Sequence, residues 1–444
     1  MDEKEQELKQ LGEVILDFQR AKHFVGARRE SRIVPIPRKA AVCIGVRRSG
    51  KTTFLHQVME DVLERGVPRE NLLYLNFFDD RLYGLEVKNI GRVLDAYYYL
   101  YPEKRGKERI YCFFDEIQVV EGWERFVDRV LRTEDCEVYI SGSSAELLSK
   151  EVATQMRGRS LTWEMFPFSF REYLQAKDLP TGPNFSSHDW ILVAKAFEDY
   201  WHCGGFPEVM DQSRPQRVQT HQDYFHAILY RDLIERHDIS HPKALLDLAH
   251  RLLNQVGSLY SQTKLSHGLR SAGLPYQKPM ISDFIHWFED AFFLFSVRKY
   301  DPSFHKATTA ERKVYCVDHS FVTSIKSRAS VDSGHLLENL VFVGLRRVHQ
   351  KIFYYRTEKR NEVDFIVVRR EEPPLLVQVS ESLRQESTRK REIRAIEAAM
   401  QELGVSEGTI VTRSEEGSIE SKAGTIRVVP VWKFLLEQPV EAVL

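Results

Sequence analysis

The chain has 444 residues, too many for one ordinary hydrophobic core, so its length points to three or four modules. Its 63 basic residues balance 64 acidic ones, which excludes a bulk attraction for nucleic acid or membrane and leaves only local charged surfaces. Cys43, Cys112, Cys136, Cys203 and Cys316 show no C-x-x-C spacing, so buried reduced thiols are expected rather than a zinc site or disulfide framework. The charged start Met1–Glu7 is not a signal peptide, and the longest aromatic-aliphatic block, Ala291 to Phe295, is far too short to span a bilayer. The expectation is a soluble cytoplasmic protein.

The first informative element is the apolar run Ala40–Ile44, which leads into Gly45-Val46-Arg47-Arg48-Ser49-Gly50-Lys51-Thr52. This is G-x-x-x-x-G-K-[ST], a loop whose backbone N–H groups can nest a β-phosphate. Its glycines let the backbone come close to anionic oxygens and take positive φ. Lys51 is placed to bridge β- and γ-phosphates, and the Thr52 hydroxyl to ligate Mg²⁺. Gly45, Arg48, Ser49, Gly50, Lys51, Thr52 and Thr53 form the expected ATP-binding set, and Thr53 to Arg65 reads as an amphipathic helix.

Three further apolar runs read as strands: Leu72–Phe77, Ile110–Phe114 and Glu137–Ser141. Near-continuous apolar strands separated by helical stretches imply a parallel sheet covered on both faces. The third strand ends in Asp115-Glu116, a pair suited to hold Mg²⁺ through water (Asp115) and to polarise the attacking water (Glu116). A solvated strand end is the plainer reading of that pair. Ser141-Gly142-Ser143-Ser144 would place hydroxyls, Ser143 in particular, beside a γ-phosphate, and the same run suits a turn capping a helix near Ala145. Arg157-Gly158-Arg159 offers a cation against charge developing in phosphoryl transfer, with surface pairing as the alternative.

The series Gly45–Thr53, Phe114-Asp115-Glu116-Ile117-Gln118 with Trp123, Ile140–Ser144, Arg157–Arg159 and Phe166–Tyr173 resembles the archaeal and bacterial AAA-type P-loop ATPases with a nuclease-like C-terminal domain, relatives of the signal-transduction NTPases. The resemblance covers nearly the whole chain. It implies an α/β fold with a P-loop AAA-type core, a sheet of order 5-1-4-3-2, Asp115-Glu116 as a Walker B pair and serines at the sensor position. In that group a G-x-P element of the lid faces the adenine, and Gly205-Phe206-Pro207 matches it; a helix-breaking turn is the plainer reading of the same residues.

From Pro242 onward the pattern changes to helix Ala244–Val256, a short segment Ser261–Arg270, helix Lys278–Glu289, an aromatic strand Phe292–Tyr300 and a strand Lys313–Val317, the outline of a winged helix. Residues 241–313 carry 10 Lys/Arg against 6 Asp/Glu, and Lys278, Ser282 and His286 share one side of the third helix. Direct DNA contact and a purely interdomain strut both fit.

Helix Gly334–Phe342, with one acidic residue pointing off it, precedes strands Ile352–Arg356, Val363–Val367 and Leu375–Val379, a charged helix Thr388–Leu403, and strands Thr409–Thr412 and Ile426–Val431. This order resembles the restriction-endonuclease-like PD-(D/E)xK fold. Glu338 and Asp364 match its first two acids and Gln378-Val379-Ser380 its triplet, with Gln378 in place of a carboxylate and Ser380 in place of the lysine. Metal-dependent cleavage needs anionic ligands and a cation near the scissile phosphate, so a fold kept for binding or assembly is expected.

The expected domains are an ATPase core 1–170, a helical lid 171–240, a winged helix 241–317 and a nuclease-like domain 318–444. The expected activity is Mg²⁺-dependent ATP hydrolysis, regulatory or DNA-associated, with Glu116, Lys51, Ser143, Arg157 and Arg159 as catalytic residues and Thr52 and Asp115 at the metal. An ATP-gated metal-dependent DNA nuclease and a slow nucleotide-switched signalling scaffold are the competing functions. Expected partners are ATP, double-stranded or branched DNA, and further copies of the chain in a homo-oligomer or ring, without a membrane.

Overall fold

The computed structural model describes residues 3–143, 156, 158–182, 185–270, 278–301, 311–326 and 332–439, and divides the chain into two units at Met165. The first unit is built on five strands: β1 (Ala40–Ile44), β2 (Leu72–Asn76), β3 (Ile110–Asp115), β4 (Cys136–Gly142) and β5 (Ser160–Glu164). Every pairing is parallel and the order is β2-β3-β4-β1-β5, the expected order read from its other edge. Central strands buried on both faces need apolar residues at every position, and β1 is buried throughout. Helix Lys51–Glu64 lays Phe54, Leu55, Val58, Met59 and Val62 on Ala41, Leu72, Tyr74, Phe113 and Tyr139. Each such side chain contributes roughly 1.5–3 kcal/mol when fully buried. The N-terminal helix Glu3–Arg20, invisible in the charge pattern, buries Leu11, Val14 and Ile15 and donates from Gln19 to the Leu72 carbonyl at 2.9 Å.

The second unit begins with helices Phe170–Ala176, Ser187–Cys203 and Arg214–Ala227, the last running on into a π-helical segment, Ile228–Glu235. Helix Pro242–Asn254 follows, then β6 (Leu259–Tyr260), helices Gln262–Arg270 and Lys278–Asp290, β7 (Leu294–Val297) and β8 (Arg312–Cys316). These strands form an antiparallel sheet of order β6-β8-β7. The aromatic strand starts after Phe292, which takes φ 54°, a conformation no strand accommodates, and it ends at Val297 rather than Tyr300.

After helices His319–Ile325 and Ser333–Val348 come β9 (Ile352–Arg356), β10 (Glu362–Val367) and β11 (Leu375–Val379), paired antiparallel. Helix Glu386–Leu403 then crosses over, so that β12 (Glu407–Thr412) lies parallel to β11. A hairpin, β13 (Gly417–Ser421) and β14 (Gly424–Pro430), completes a six-stranded sheet of order β13-β14-β12-β11-β10-β9. β13 escaped the sequence reading because it is a largely exposed edge strand without an apolar face.

Glu338 points off its helix toward β8 and is buried, with Lys313 and Tyr315 as its partners. The residue in the triplet's first position, Gln378, is likewise buried and turned toward Glu392 and the Asp364 backbone. The cysteines are unpaired, with Cys43, Cys112, Cys203 and Cys316 buried and Cys136 half-buried. Among the described residues no helix is long and apolar enough to cross a membrane.

Candidate functional site

The site of the first unit lies at the carboxyl ends of β1, β3 and β4, where open parallel sheets place their ligands. β1 passes directly into the loop, and helix Lys51–Glu64 starts after Gly50, whose φ of 97° suits glycine. Arg48 is also left-handed, at φ 68°. The first N–H groups of a helix have no acceptor within it, and they carry the positive end of its dipole. Lys51 is buried, with Nζ 3.1 Å from the carbonyls of both Gly45 and Val46. The Ser49 hydroxyl is fully buried and has no hydrogen-bond partner among the described residues, a polar atom that a phosphate oxygen would satisfy.

β3 delivers Asp115 to the same place, and its carboxylate gathers three hydroxyls. Thr52 Oγ1 donates to Oδ2 at 2.8 Å, the Tyr74 hydroxyl donates to Oδ2 at 3.0 Å, and Ser141 Oγ donates to Oδ1. Burial pushes the Asp115 carboxyl above its usual range, against those hydrogen bonds, and the neighbouring Glu116 charge adds to the rise. A divalent cation would reverse that balance, and hydroxyl and carboxylate oxygens side by side are the hard donors Mg²⁺ takes. The residues present therefore fit both phosphate and Mg²⁺.

Glu116 leaves the strand at φ 57°, ψ 37°, a left-handed conformation costly for a residue with a Cβ. Its N–H is held by the Ser141 carbonyl at 3.1 Å, and its carboxylate accepts from the Gln118 amide. Asp115, the last residue of the regular strand, stays buried, whereas Glu116, in the left-handed region, turns off the strand.

Ser143 is buried just beyond β4, whereas Ser141, two residues earlier, is the serine that touches Asp115. Ser144 and Arg157 lie outside the described residues. Arg159, the residue before β5, pairs through Nη1 with Asp128 at 2.7 Å, and Asp128 also pairs with Arg132 at 3.0 Å. Pro207 belongs to the second unit, where it opens a short turn, Pro207–Val209. The preceding glycines are set by close packing: a Cβ on Gly205 would stand 2.3 Å from the Phe168 carbonyl oxygen, and the Gly205 N–H donates to Asp318 at 2.7 Å.

Tyr74 and Arg29 were not legible as site residues. Arg29 donates to the Ser49 carbonyl at 2.9 Å, and its own N–H donates to Gln57 at 3.1 Å. The Gln57 amide in turn holds the carbonyls of Val25 and Ala27, so residues 25–29 are strapped to the helix behind the loop. These partners are some thirty residues apart in sequence, and no local pattern announces them.

In the second unit, Glu338 and Asp364 converge as the order of elements implies, but on a lysine. Lys313 Nζ lies 2.8 Å from Glu338 Oε1, 2.8 Å from Asp364 Oδ1 and 3.0 Å from Glu362 Oε1. Gln378 accepts from the Asp364 N–H at 3.2 Å and donates to Glu392 at 2.8 Å, and Ser380 donates to the Ser382 carbonyl. As these side chains stand, no group of three or more His, Cys, Asp or Glu among the described residues is arranged to hold a metal ion.

Comparison with known proteins matches residues 37–174 to an AAA domain, residues 194–332 to a domain of unknown function (DUF8612) and residues 333–434 to another (DUF4143). An uncharacterised Methanocaldococcus jannaschii protein, MJ1544, is 32% identical over 435 residues, spanning 96% of this chain and 94% of its own length. An uncharacterised Haemophilus influenzae protein is 31% identical, over 76% of this chain and 82% of that one. Among solved structures, the Aeropyrum pernix Orc1 protein in complex with DNA is 15% identical with a TM-score of 0.31, over 74% of this chain and 94% of that one. Cdc6p from Pyrobaculum aerophilum is 14% identical with a TM-score of 0.25, over 66% and 87% respectively. With the phosphate-loop sequence, a 2-3-4-1-5 parallel sheet, an AAA-domain match over residues 37–174 and a relative matched almost end to end, the chain belongs to the family of AAA-domain P-loop proteins that MJ1544 represents.

Proposed function

We propose that the chain binds ATP with Mg²⁺ at Gly45–Thr53 and hydrolyses it, and that the nucleotide state regulates its helical and C-terminal modules. The observation that carries this reading is the Asp115 carboxylate held by Thr52, Tyr74 and Ser141 beside a buried loop lysine. Thr52 and Asp115 would hold Mg²⁺, which supplies charge neutralisation at the phosphates when bound. Lys51 places a fixed cation in the loop. Glu116, free of the strand, is the group able to take a proton from water.

Lys51→Ala should abolish binding of a fluorescent ATP analogue. Glu116→Gln should retain that binding and lose at least about a hundredfold in turnover, since Asp115 remains while the base is gone. Turnover at the wild-type rate in purified Glu116→Gln protein would refute the assignment. Wild-type hydrolysis slower than about one per hour with every candidate nucleic acid would favour a nucleotide-switched scaffold, because unassisted P-loop switches are already slow.

DNA association is supported by one observation in the second unit: the order helix, strand, helix, helix, strand, strand with sheet order β6-β8-β7 is compatible with a winged-helix module. Its basic excess is modest, and His286 pairs with Asp290 at 3.4 Å. Anisotropy of labelled double-stranded and branched DNA at two salt concentrations tests the reading; a contact through this module should weaken steeply with salt.

A further inference from the structure

We propose that Lys313 is the resident cation of the C-terminal acidic site, its ammonium standing where a divalent metal would sit between Glu338 and Asp364. The inference does not depend on ATP chemistry, which uses other residues in the first unit.

Lys313 Nζ donates to Glu338 Oε1 of helix Ser333–Val348 and to Asp364 Oδ1 of β10, and Glu362 Oε1 of β10 lies at ion-pair distance, 3.0 Å, from the same nitrogen. The acceptors are equally committed. Glu338 Oε1 also accepts from the Tyr315 hydroxyl at 2.6 Å, and Asp364 Oδ2 accepts from the Val379 N–H at 2.9 Å. Lys313 is 3% exposed, so this is a closed arrangement and not a lysine resting on an acidic surface.

The charge balance points the same way. Arg356 pairs with Glu362 at 3.1 Å, so two cations face three carboxylates. Taking Lys313 away would leave Glu338 and Asp364 buried and unpaired, which is costly unless another cation enters. Metal–oxygen distances of about 2.0–2.6 Å are shorter than the nitrogen–oxygen spacing here, so a metal would draw the carboxylates inward into the space Nζ now holds. Lys313 comes from β8 of the three-stranded sheet and ties that sheet to the C-terminal one.

The test is Mn²⁺ uptake by the full chain, read from the electron paramagnetic resonance of free Mn²⁺ without nucleotide. Wild type and Asp364→Asn should take up the same amount. Lys313→Met should gain a single site, and Lys313→Met with Asp364→Asn should lose it. Asp364-dependent uptake in wild type, or a folded Lys313→Met protein without it, would overturn the proposal. So would Mn²⁺-dependent plasmid nicking by wild type that Lys313→Met abolishes, which would make Lys313 part of a nuclease. If Lys313→Met does not fold, adding Glu338→Gln and Asp364→Asn should restore the cooperative melt, because the defect is unpaired charge. Failure of that triple variant to recover would show that the lysine acts through packing, and would equally overturn the inference.

Discussion

Gly45 has φ +157°, and a Cβ placed on it would stand 2.0 Å from the Met165 carbonyl oxygen. The contact is with backbone, and the neighbouring Met165 N–H donates to the Ile44 carbonyl at 2.6 Å, so β1 and the end of β5 cannot part without losing their pairing. Gly45→Ala should therefore cost about 2 kcal/mol and lower the melting temperature of the first unit by roughly 4–8 °C, with a parallel loss of nucleotide affinity. Calorimetry with and without ATP would check this, and an unchanged melt would show that the loop yields easily. The motif made this glycine conspicuous for its approach to phosphate, but the crowding by Met165 came only with the fold. Ser141 and Tyr74 teach a related lesson. Ser141 stood in a recognised serine run, yet which hydroxyl would reach Asp115 depended on the register of β3 against β4. Tyr74 looked like one more apolar-strand residue until β2 was laid beside β3.

Between elements, the packing of β8, β10 and helix Ser333–Val348 makes stability depend on pH. Burial raises the Glu338 carboxyl to about 7, and the Asp364 charge adds to that rise against the opposing pull of Lys313. The groups facing it are Lys313 and Tyr315 of β8 and Asp364 and Glu362 of β10, with Arg356 of β9 on Glu362. Lys313 is held well above its usual range by Asp364, Tyr315, Glu338 and Glu362 despite burial, so it stays charged throughout. Below the ordinary glutamate range both folded and unfolded chains hold the Glu338 proton. From about pH 4.5 to 7 only the folded chain holds it, so stability falls as the pH rises through that window. The loss is at most about 3 kcal/mol. Glu338→Gln cannot ionise, so its melting temperature relative to wild type should rise from pH 5.5 to pH 8. A difference that stays flat would place Glu338 at an ordinary carboxylate value.

For the whole molecule, the proposed hydrolytic site is either complete within one chain or shared between chains. Arg159 is engaged by Asp128 of its own unit, so Arg159→Ala should mainly weaken that unit's melt. Arg157→Ala chains mixed with Glu116→Gln chains should regain turnover if the arginine is supplied between subunits, because each chain then provides what the other lacks. Wild-type turnover strictly linear in protein concentration, with no recovery on mixing, would show a site complete within one chain.

What the sequence determined by itself was whatever is written in consecutive residues: the loop Gly45–Thr52, the acidic pair ending β3, the parallel sheet and most strands of the C-terminal sheet. Such features follow from local backbone demands and from burial on both faces, and both leave marks at short range. Only the tertiary structure decided which side chains meet. Lys313 looked like the first residue of the second winged-helix strand, Lys313–Val317, with no motif to distinguish it. It became the centre of the C-terminal acidic cluster because β8 packs beside β10 and helix Ser333–Val348, 51 residues from Asp364 and 25 from Glu338. A buried charge needs partners of opposite sign from any distance along the chain, and sequence spacing carries no record of who they are.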